Sequence, residues 1–335
     1  MTVTWLLLLI SLAVILMGCH LFTNGIEWAG HRLKLGEGAV GSILAAVGTT
    51  IPETLIAILA LVFGFRTGAG EDVGIGAILG APLMLSTLAM FVTGVAVMVF
   101  ARHGRRSKTL HVDEVVLRRD LRYFFIVFLG AAAASFVPST ALRWAVAAGL
   151  IGLYGLYVRA TFLHNPPQQI REHPGRLVLR RAPGPPPLWL VGTQVALSLT
   201  LLVLGAHTFV DALTHTARAL GIRPLILSLF ITPVATELPE KFNSVLWIRR
   251  KKDTLALGNI SGAMVFQSSV PPAIGILFTD WHLDAQSLAC VGTSLAAAGT
   301  LWAGLRWRGR LTVGELLAGG AFYCIYAVWS VVVRP

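Results

Sequence analysis

Charge is scarce in this sequence. Only 13% of its 335 residues are Asp, Glu, Lys or Arg, and only 16 are acidic. Soluble domains carry about a quarter charged residues. At 55% hydrophobic residues and a mean hydropathy of +0.73, the chain holds more apolar sequence than a soluble interior can bury. That excludes a soluble fold and implies a polytopic membrane protein. Cysteine is scarce too. Cys19, Cys290 and Cys324 each stand alone in an apolar run, with neither metal-ligand spacing nor a disulfide framework. Their ordinary role is that of small buried residues. The chain lacks an HExxH helix and a Gly-x-Ser-x-Gly turn, so nothing marks an intramembrane enzyme. It also lacks a basic n-region ahead of the first apolar run, Met1 to Leu16, which therefore reads as a retained span and not a signal peptide.

The charge that is present has a pattern. The net charge is +11, a balance that could suit nucleic acid. The basic residues, however, fall in short loops between apolar runs, where they set orientation and touch anionic lipid headgroups. A lipid bilayer is the expected partner, and nucleic acid is not. Spans of about 20 apolar residues can be drawn at about 3–27, 38–65, 73–100, 121–138 and 140–163, then at about 188–213, 222–248, 254–279, 284–305 and 312–333. The fold class is an all-α membrane protein of ten transmembrane helices. Residues 1–163 form a first five-helix repeat, 164–187 a linker rich in proline and arginine, and 188–335 a second five-helix repeat.

Most basic residues follow the odd-numbered spans, as at Arg102, Arg105, Arg106, Arg118, Arg119, Arg122, Arg180, Arg181, Arg249 and Arg250. The loops between hold Arg66, Arg143, Arg218 and Arg223 beside the acids Glu71, Asp72, Asp280 and Asp284. The first set, with the linker, is expected in the cytoplasm, and both termini outside the plasma or inner membrane. An odd number of spans per half inverts the second half relative to the first. Inverted repeats mark alternating-access transporters with a site at the midplane.

The acids inside the spans carry the chemistry. Gly48-Thr49-Thr50-Ile51-Pro52-Glu53 aligns without gaps with Ala235-Thr236-Glu237-Leu238-Pro239-Glu240, at a shift of 187 residues. The same shift sets Gly18-Cys19-His20-Leu21-Phe22-Thr23-Asn24 on Gly205-Ala206-His207-Thr208-Phe209-Val210-Asp211. The chain reads as a tandem duplication with a repeated acid. A carboxylate deep in a span costs a few kcal/mol or more, about +2.5–3.5 on insertion scales. Each proline removes a backbone donor, so the helix is expected to bend or break there and free carbonyl oxygens beside the acid. Hard cations take such oxygens as ligands.

Several neighbours extend this set. Thr49, Thr50 and Thr236 lie about one turn before the acids, and their hydroxyls either add neutral ligands or cap broken backbone. Glu237 lies three residues before Glu240, on nearly the same helix face. Two carboxylates so close would not both stay charged without a cation. Glu237 is then an additional ligand or a proton carrier, unless it turns away to a basic residue. Lys241 is assigned to the cytoplasmic half of its span. Gly76-Ala77-Ile78-Leu79-Gly80 aligns with Gly258-Asn259-Ile260-Ser261-Gly262, and both are GxxxG patterns for close helix packing. Asn259 and Gln267 add amide oxygens where the first half has Ala77 and Leu85. His20 and His207 are repeat-related and could carry protons or serve as hydrogen-bonded core groups. Asn24 and Asp211 read as interfacial, Asp211 near the outer mouth.

These paired motifs resemble the alpha-repeats of the cation/calcium antiporter superfamily, specifically those of prokaryotic sodium/calcium exchangers. The resemblance covers most of the chain. It implies an exchanger fold in which two repeats form a diamond of ion sites, with inorganic cations as cargo and no cofactor. Glu53 and Glu240 match the two central acids that hold calcium or alternately sodium. Thr49 and Thr236 match flanking ligands, and Thr50 a serine ligand. The first and sixth spans would slide across the other eight.

The sequence also departs from that pattern. Glu237 stands where a serine is usual. The usual Gly-Asn-x-x-Gly-Ser-Asn-x-x-Asn becomes Gly76-Ala77-Ile78-Leu79-Gly80-Ala81-Pro82-Leu83-Met84-Leu85 in one half and Gly258-Asn259-Ile260-Ser261-Gly262-Ala263-Met264-Val265-Phe266-Gln267 in the other. Ala81 and Ala263 replace the serines of the outer sodium sites, and Leu85 removes a central amide. A three-sodium stoichiometry loses support, and proton coupling through Glu237 gains it. The expected function is a secondary active antiporter exchanging calcium, or a similar divalent cation, for sodium or protons. Its ligands would be Glu53, Glu240, Glu237, Thr49, Thr50, Thr236, Asn259 and Gln267, with Glu237, His20 and His207 as proton-coupling candidates. The alternatives are a proton-coupled exchanger of another cation and a cation channel.

Overall fold

Without water to satisfy the backbone, an apolar span must close its own hydrogen bonds, and a helix does so locally. The computed structural model describes residues 2–32, 54, 57–58, 60–61, 69–164, 176–180 and 184–332. The elements among them are α1 (Thr2–Arg32), α2 (Ala69–Met84), a π-helical segment (Leu85–Ala89), α3 (Met90–Arg102), α4 (Glu114–Ala134), α5 (Thr140–His164), α6 (Leu188–Leu220), α7 (Pro224–Arg249), α8 (Asp253–Gln267), α9 (Val270–Phe278), α10 (Ala285–Arg308) and α11 (Val313–Val332). Among the described residues, seven stretches are long and apolar enough to cross a bilayer: within α1, α2 through α3, α5, α6, α8 through α9, α10 and α11. The expected second span, 38–65, lies almost wholly outside the described residues, as does most of the linker.

Several boundaries differ from expectation. α4 starts at Glu114, not near 121, because Asp113 caps it. Its carboxylate accepts the N–H groups of Val115 at 2.9 Å and Val116 at 3.3 Å. Arg118, Arg119 and Arg122, read from the sequence as loop residues, therefore belong to a helix. α6 runs to Leu220, past the expected end near 213. α6 ends on Gly221 at φ +65°, and Pro224 opens α7.

α1 and α6 lie side by side. Gly18 and Gly205 set how closely they approach. A Cβ on Gly18 would stand 3.0 Å from Leu202 Cγ, and one on Gly205 would stand 2.9 Å from Ile15 Cγ1. Positions 18 and 205 align at the shift of 187 residues, and so do 15 and 202. The pair thus makes one contact twice with the halves exchanged. The two helices have 31 and 33 residues. At about 1.5 Å per residue they exceed a hydrocarbon core of about 30 Å, so they tilt or project. Leu6, Leu9, Met17, Leu199 and Leu204 on them are exposed, as a lipid-facing surface requires.

The buried centre lies on α2, the π-helical segment, α4, α8, α9 and α10. Ile78, Leu79, Leu83, Leu85, Phe124, Phe128 and Met264 belong to one core there, closed by Trp281 from the loop before α10. α2 packs on α7 through its glycines. A Cβ on Gly80 would overlap the Leu229 carbonyl oxygen, and one on Gly76 would lie 2.5 Å from the Leu225 carbonyl oxygen. Pro233 has no N–H to donate to Leu229, so that carbonyl stays open to a close neighbour. The first-half GxxxG therefore packs on the acid-bearing helix of the second half. In the second half a Cβ on Gly262 would stand 3.2 Å from the Tyr157 hydroxyl, and one on Gly258 would stand 4.0 Å from Val116 Cγ1.

A buried ion pair fastens the two halves at the α7–α8 turn. Arg106 donates to both Asp253 carboxylate oxygens, at 2.7 and 2.8 Å, and to the Ile248 carbonyl at 2.9 Å. The Asp253 carboxylate also accepts the His111 N–H at 2.9 Å. At the opposite end, Arg223 pairs with Asp284 and lies 3.5 Å from Asp72.

Candidate cation-binding site

The acid-bearing helix does not break where the sequence led us to expect. α7 stays helical through Pro239. The break falls in the next membrane passage, where α8 ends at Gln267 and α9 begins at Val270. The reason is the tandem Pro271-Pro272. Neither residue has an N–H, so neither can continue the ladder onto the Gln267 and Ser268 carbonyls. Both rings fit the first turn of a new helix, where N–H groups are spare.

The first half carries a milder irregularity at the corresponding place. The GxxxG alignment sets Leu85, Ser86 and Thr87 on Gln267, Ser268 and Ser269, and Leu85 opens the π-helical segment. Thr87 donates to the Leu83 carbonyl as Ser269 donates to the matching Val265 carbonyl, at 2.7 Å in the second case. π-Helical turns inside α-helices occur frequently at functional sites.

The structure brings Glu237 and Gln267 together. Glu237 is fully buried on α7. The Gln267 amide, at the last turn of α8, donates to its Oε1 at 2.8 Å. Thr236, also fully buried, donates to the Thr232 carbonyl at 2.9 Å, which leaves its oxygen lone pairs available. Below it on the same face stand Thr232 and Ser228, whose hydroxyl oxygens are 3.2 Å apart, and Ser228 donates to the Val73 carbonyl at 2.7 Å. Of this column of buried hydroxyls, the sequence pointed to Thr236 alone, and Thr232 and Ser228 were missed. Its signal was the four-residue spacing of Ser228, Thr232, Thr236 and Glu240.

Other sequence candidates are placed elsewhere. Glu53, Thr49 and Thr50 lie outside the described residues, and so does the side chain of Glu240, whose backbone is helical within α7. Asn259 is half-buried on α8, eight residues before Gln267 and so about 12 Å from it along the axis. His20 is exposed on α1. His207 is exposed on α6, its Nε2 3.5 Å from the Asp211 carboxylate, itself exposed. The histidines are not gathered with Glu237.

One buried acid escaped notice because it sat in an apparent loop. Asp120 on α4 accepts the Ser261 hydroxyl at 2.6 Å, and Arg119 donates to its other oxygen at 3.1 and 3.2 Å. It fastens α4 to α8. At the Arg223 cluster, burial alone would raise the Asp284 carboxyl. The Ser287 N–H and the Arg223 guanidinium outweigh it and hold that carboxyl below its ordinary value.

The chain has clear relatives. The family profile described as "Sodium/calcium exchanger protein" matches residues 3–163 and 191–332. The inner membrane protein YrbG of Escherichia coli (strain K12) is 23% identical over 295 residues, which span 87% of this chain and 84% of that protein. Among solved structures, an H+/Ca2+ exchanger, CAX, superposes with a TM-score of 0.72 at 16% identity, over 98% of this chain and 86% of that one. The sodium-calcium exchanger NCX_Mj superposes with a TM-score of 0.57 at 20% identity, over 100% of both chains. At such identities the structural likeness establishes the fold. With the family match across both halves, this multi-pass membrane protein belongs to the sodium/calcium exchanger family, and its general activity is cation antiport, not enzymatic catalysis.

Proposed function

We propose that the chain is a secondary active antiporter that exchanges calcium, or a similar divalent cation, for sodium or protons by alternating access. The observation that carries this reading is the buried carboxylate of Glu237 held against Gln267 at the edge of a helix break. In this reading the ten spans form two inverted repeats, with both termini outside and the linker in the cytoplasm. The reciprocal contacts of Gly18 with Leu202 and Gly205 with Ile15 support the repeat.

Glu53 and Glu240 hold the cation at the midplane, with Thr49, Thr50, Thr236, Gln267 and Glu237 around it and Asn259 toward the cytoplasmic entrance. A divalent ion neutralises two carboxylates. Sodium ions or protons must take over that charge before the acids can cross, so an empty site resists switching and the protein exchanges instead of leaking.

Glu237 favours a proton as the coupling ion. It stands where the family pattern has a neutral serine, and Ala81 and Ala263 remove further hydroxyls. The second reading, a proton-coupled exchanger of another cation, rests on the same residue. Calcium uptake into proteoliposomes, under a sodium gradient and separately under a pH gradient, tests both. Uptake driven by either gradient supports calcium antiport and names the coupling ion. Uptake driven by neither overturns calcium as cargo and leaves other cations to be tried. A gradient-independent leak would favour a channel.

A further inference from the structure

Ser268 sits inside the α8–α9 break, between Gln267 and Ser269, and is fully buried. Among the described residues its hydroxyl oxygen has no hydrogen-bond partner. Leaving a buried polar group unpaired is costly, and serines in helices normally avoid this by bonding back to a carbonyl one turn earlier. Ser269, next in the chain, does so to Val265 and Phe266. Ser86, its counterpart in the first half, does so to Leu83. Ser268 alone of the three does not.

The backbone of the same residue is also short of a donor. A helix would offer its carbonyl the N–H of residue 271 or 272, and both are proline. Ser268 thus carries a hydroxyl that is unpartnered among the described residues and a carbonyl that the helix cannot satisfy. It adjoins the residue that reaches Glu237. Neutral oxygens grouped with carboxylates are what a hard cation takes in exchange for its hydration shell.

We propose that Ser268 is a further ligand of the transported hard cation, adding a neutral hydroxyl to the site of Glu237 and Gln267. This rests on the antiporter reading.

The test uses the full-length chain reconstituted in proteoliposomes and, separately, in detergent. Ser268→Ala is expected to raise the half-saturating calcium concentration about tenfold, and Ser269→Ala to stay within about twofold of wild type. Ser268→Cys keeps the size of the side chain but supplies a soft sulfur. It is expected to make uptake at least about tenfold more sensitive to cadmium, which a serine of purely structural role would not do, and it carries the test if Ser268→Ala fails to fold. The detergent arm measures the rise in Tm on adding calcium, expected to be smaller in Ser268→Ala. Unchanged half-saturation and Tm shift in Ser268→Ala, with no cadmium effect in Ser268→Cys, overturn the ligand. Wild-type protein that is stabilised by calcium but transports none overturns calcium as cargo alone. Wild-type protein that does neither overturns both.

Discussion

Gln267 and Glu237 meet across the α7–α8 interface, with the amide donating to the carboxyl at 2.8 Å. Each can change role. The amide can turn its oxygen toward a cation, and the carboxyl can hold a cation or a proton. Glu237→Gln removes the titratable group and keeps the shape. It is expected to flatten the pH dependence of calcium transport between mildly acidic and mildly alkaline conditions. An unchanged pH profile would remove Glu237 from proton coupling.

Gly80 lies against the carbonyl that Pro233 leaves open on α7. Gly80→Ala must push α2 away from the acid-bearing helix. We expect it to cost about 1–3 kcal/mol of stability and to lower the transport rate. Gly258→Ala, whose new methyl would meet Val116 at ordinary contact distance, is expected to be nearly neutral. Thermal unfolding in detergent and initial uptake rates on the two variants check the contrast.

Arg106 and Asp253 are both almost fully buried, with side-chain exposures of 2% and 1%. Asp253→Asn leaves an uncompensated buried guanidinium, and Arg106→Met leaves a buried carboxylate. Either is expected to cost about 3–5 kcal/mol. The double replacement with apolar residues should recover much of that loss. Equal unfolding temperatures for wild type and the single variants would contradict the role given to this pair.

Asp284 gives an acid limb to stability. Its carboxyl is held below the ordinary value when folded, so the charged form binds its partners better. That contribution is complete above the unfolded pKa, about 3.9, and is lost as pH falls through the lower folded value. The side chains are about one-third exposed, so the effect is expected to stay within about 1 kcal/mol. Tm measured against pH should fall more steeply below about pH 4 in wild type than in Asp284→Asn.

Much of this was legible because the bilayer restricts the alternatives. A run of about 20 apolar residues has one way to satisfy its backbone, and helices stand where most described spans were drawn. The start of α4 was not legible. Its first turns are charged, and only the folded partners Ser261 and Leu305 show how Asp120 and Arg118 are accommodated. The helix break was misplaced for a related reason. Pro239 removes one donor and α7 absorbs the loss, whereas Pro271 and Pro272 remove two in succession. Glu237 and Gln267 were both named from sequence as candidates. Ser268 was not, because an orphaned hydroxyl is a property of packing and looks like any other serine in the chain.

The central claim is that two repeat-related acids hold the transported cation. The direct measurement is calcium uptake into proteoliposomes, driven by whichever gradient supports wild-type exchange, for Glu53→Gln and Glu240→Gln. The account predicts loss of at least about 100-fold in uptake for each, equivalent to about 2.7 kcal/mol, with protein that still folds and inserts. Uptake within a few-fold of wild type in either variant would contradict it.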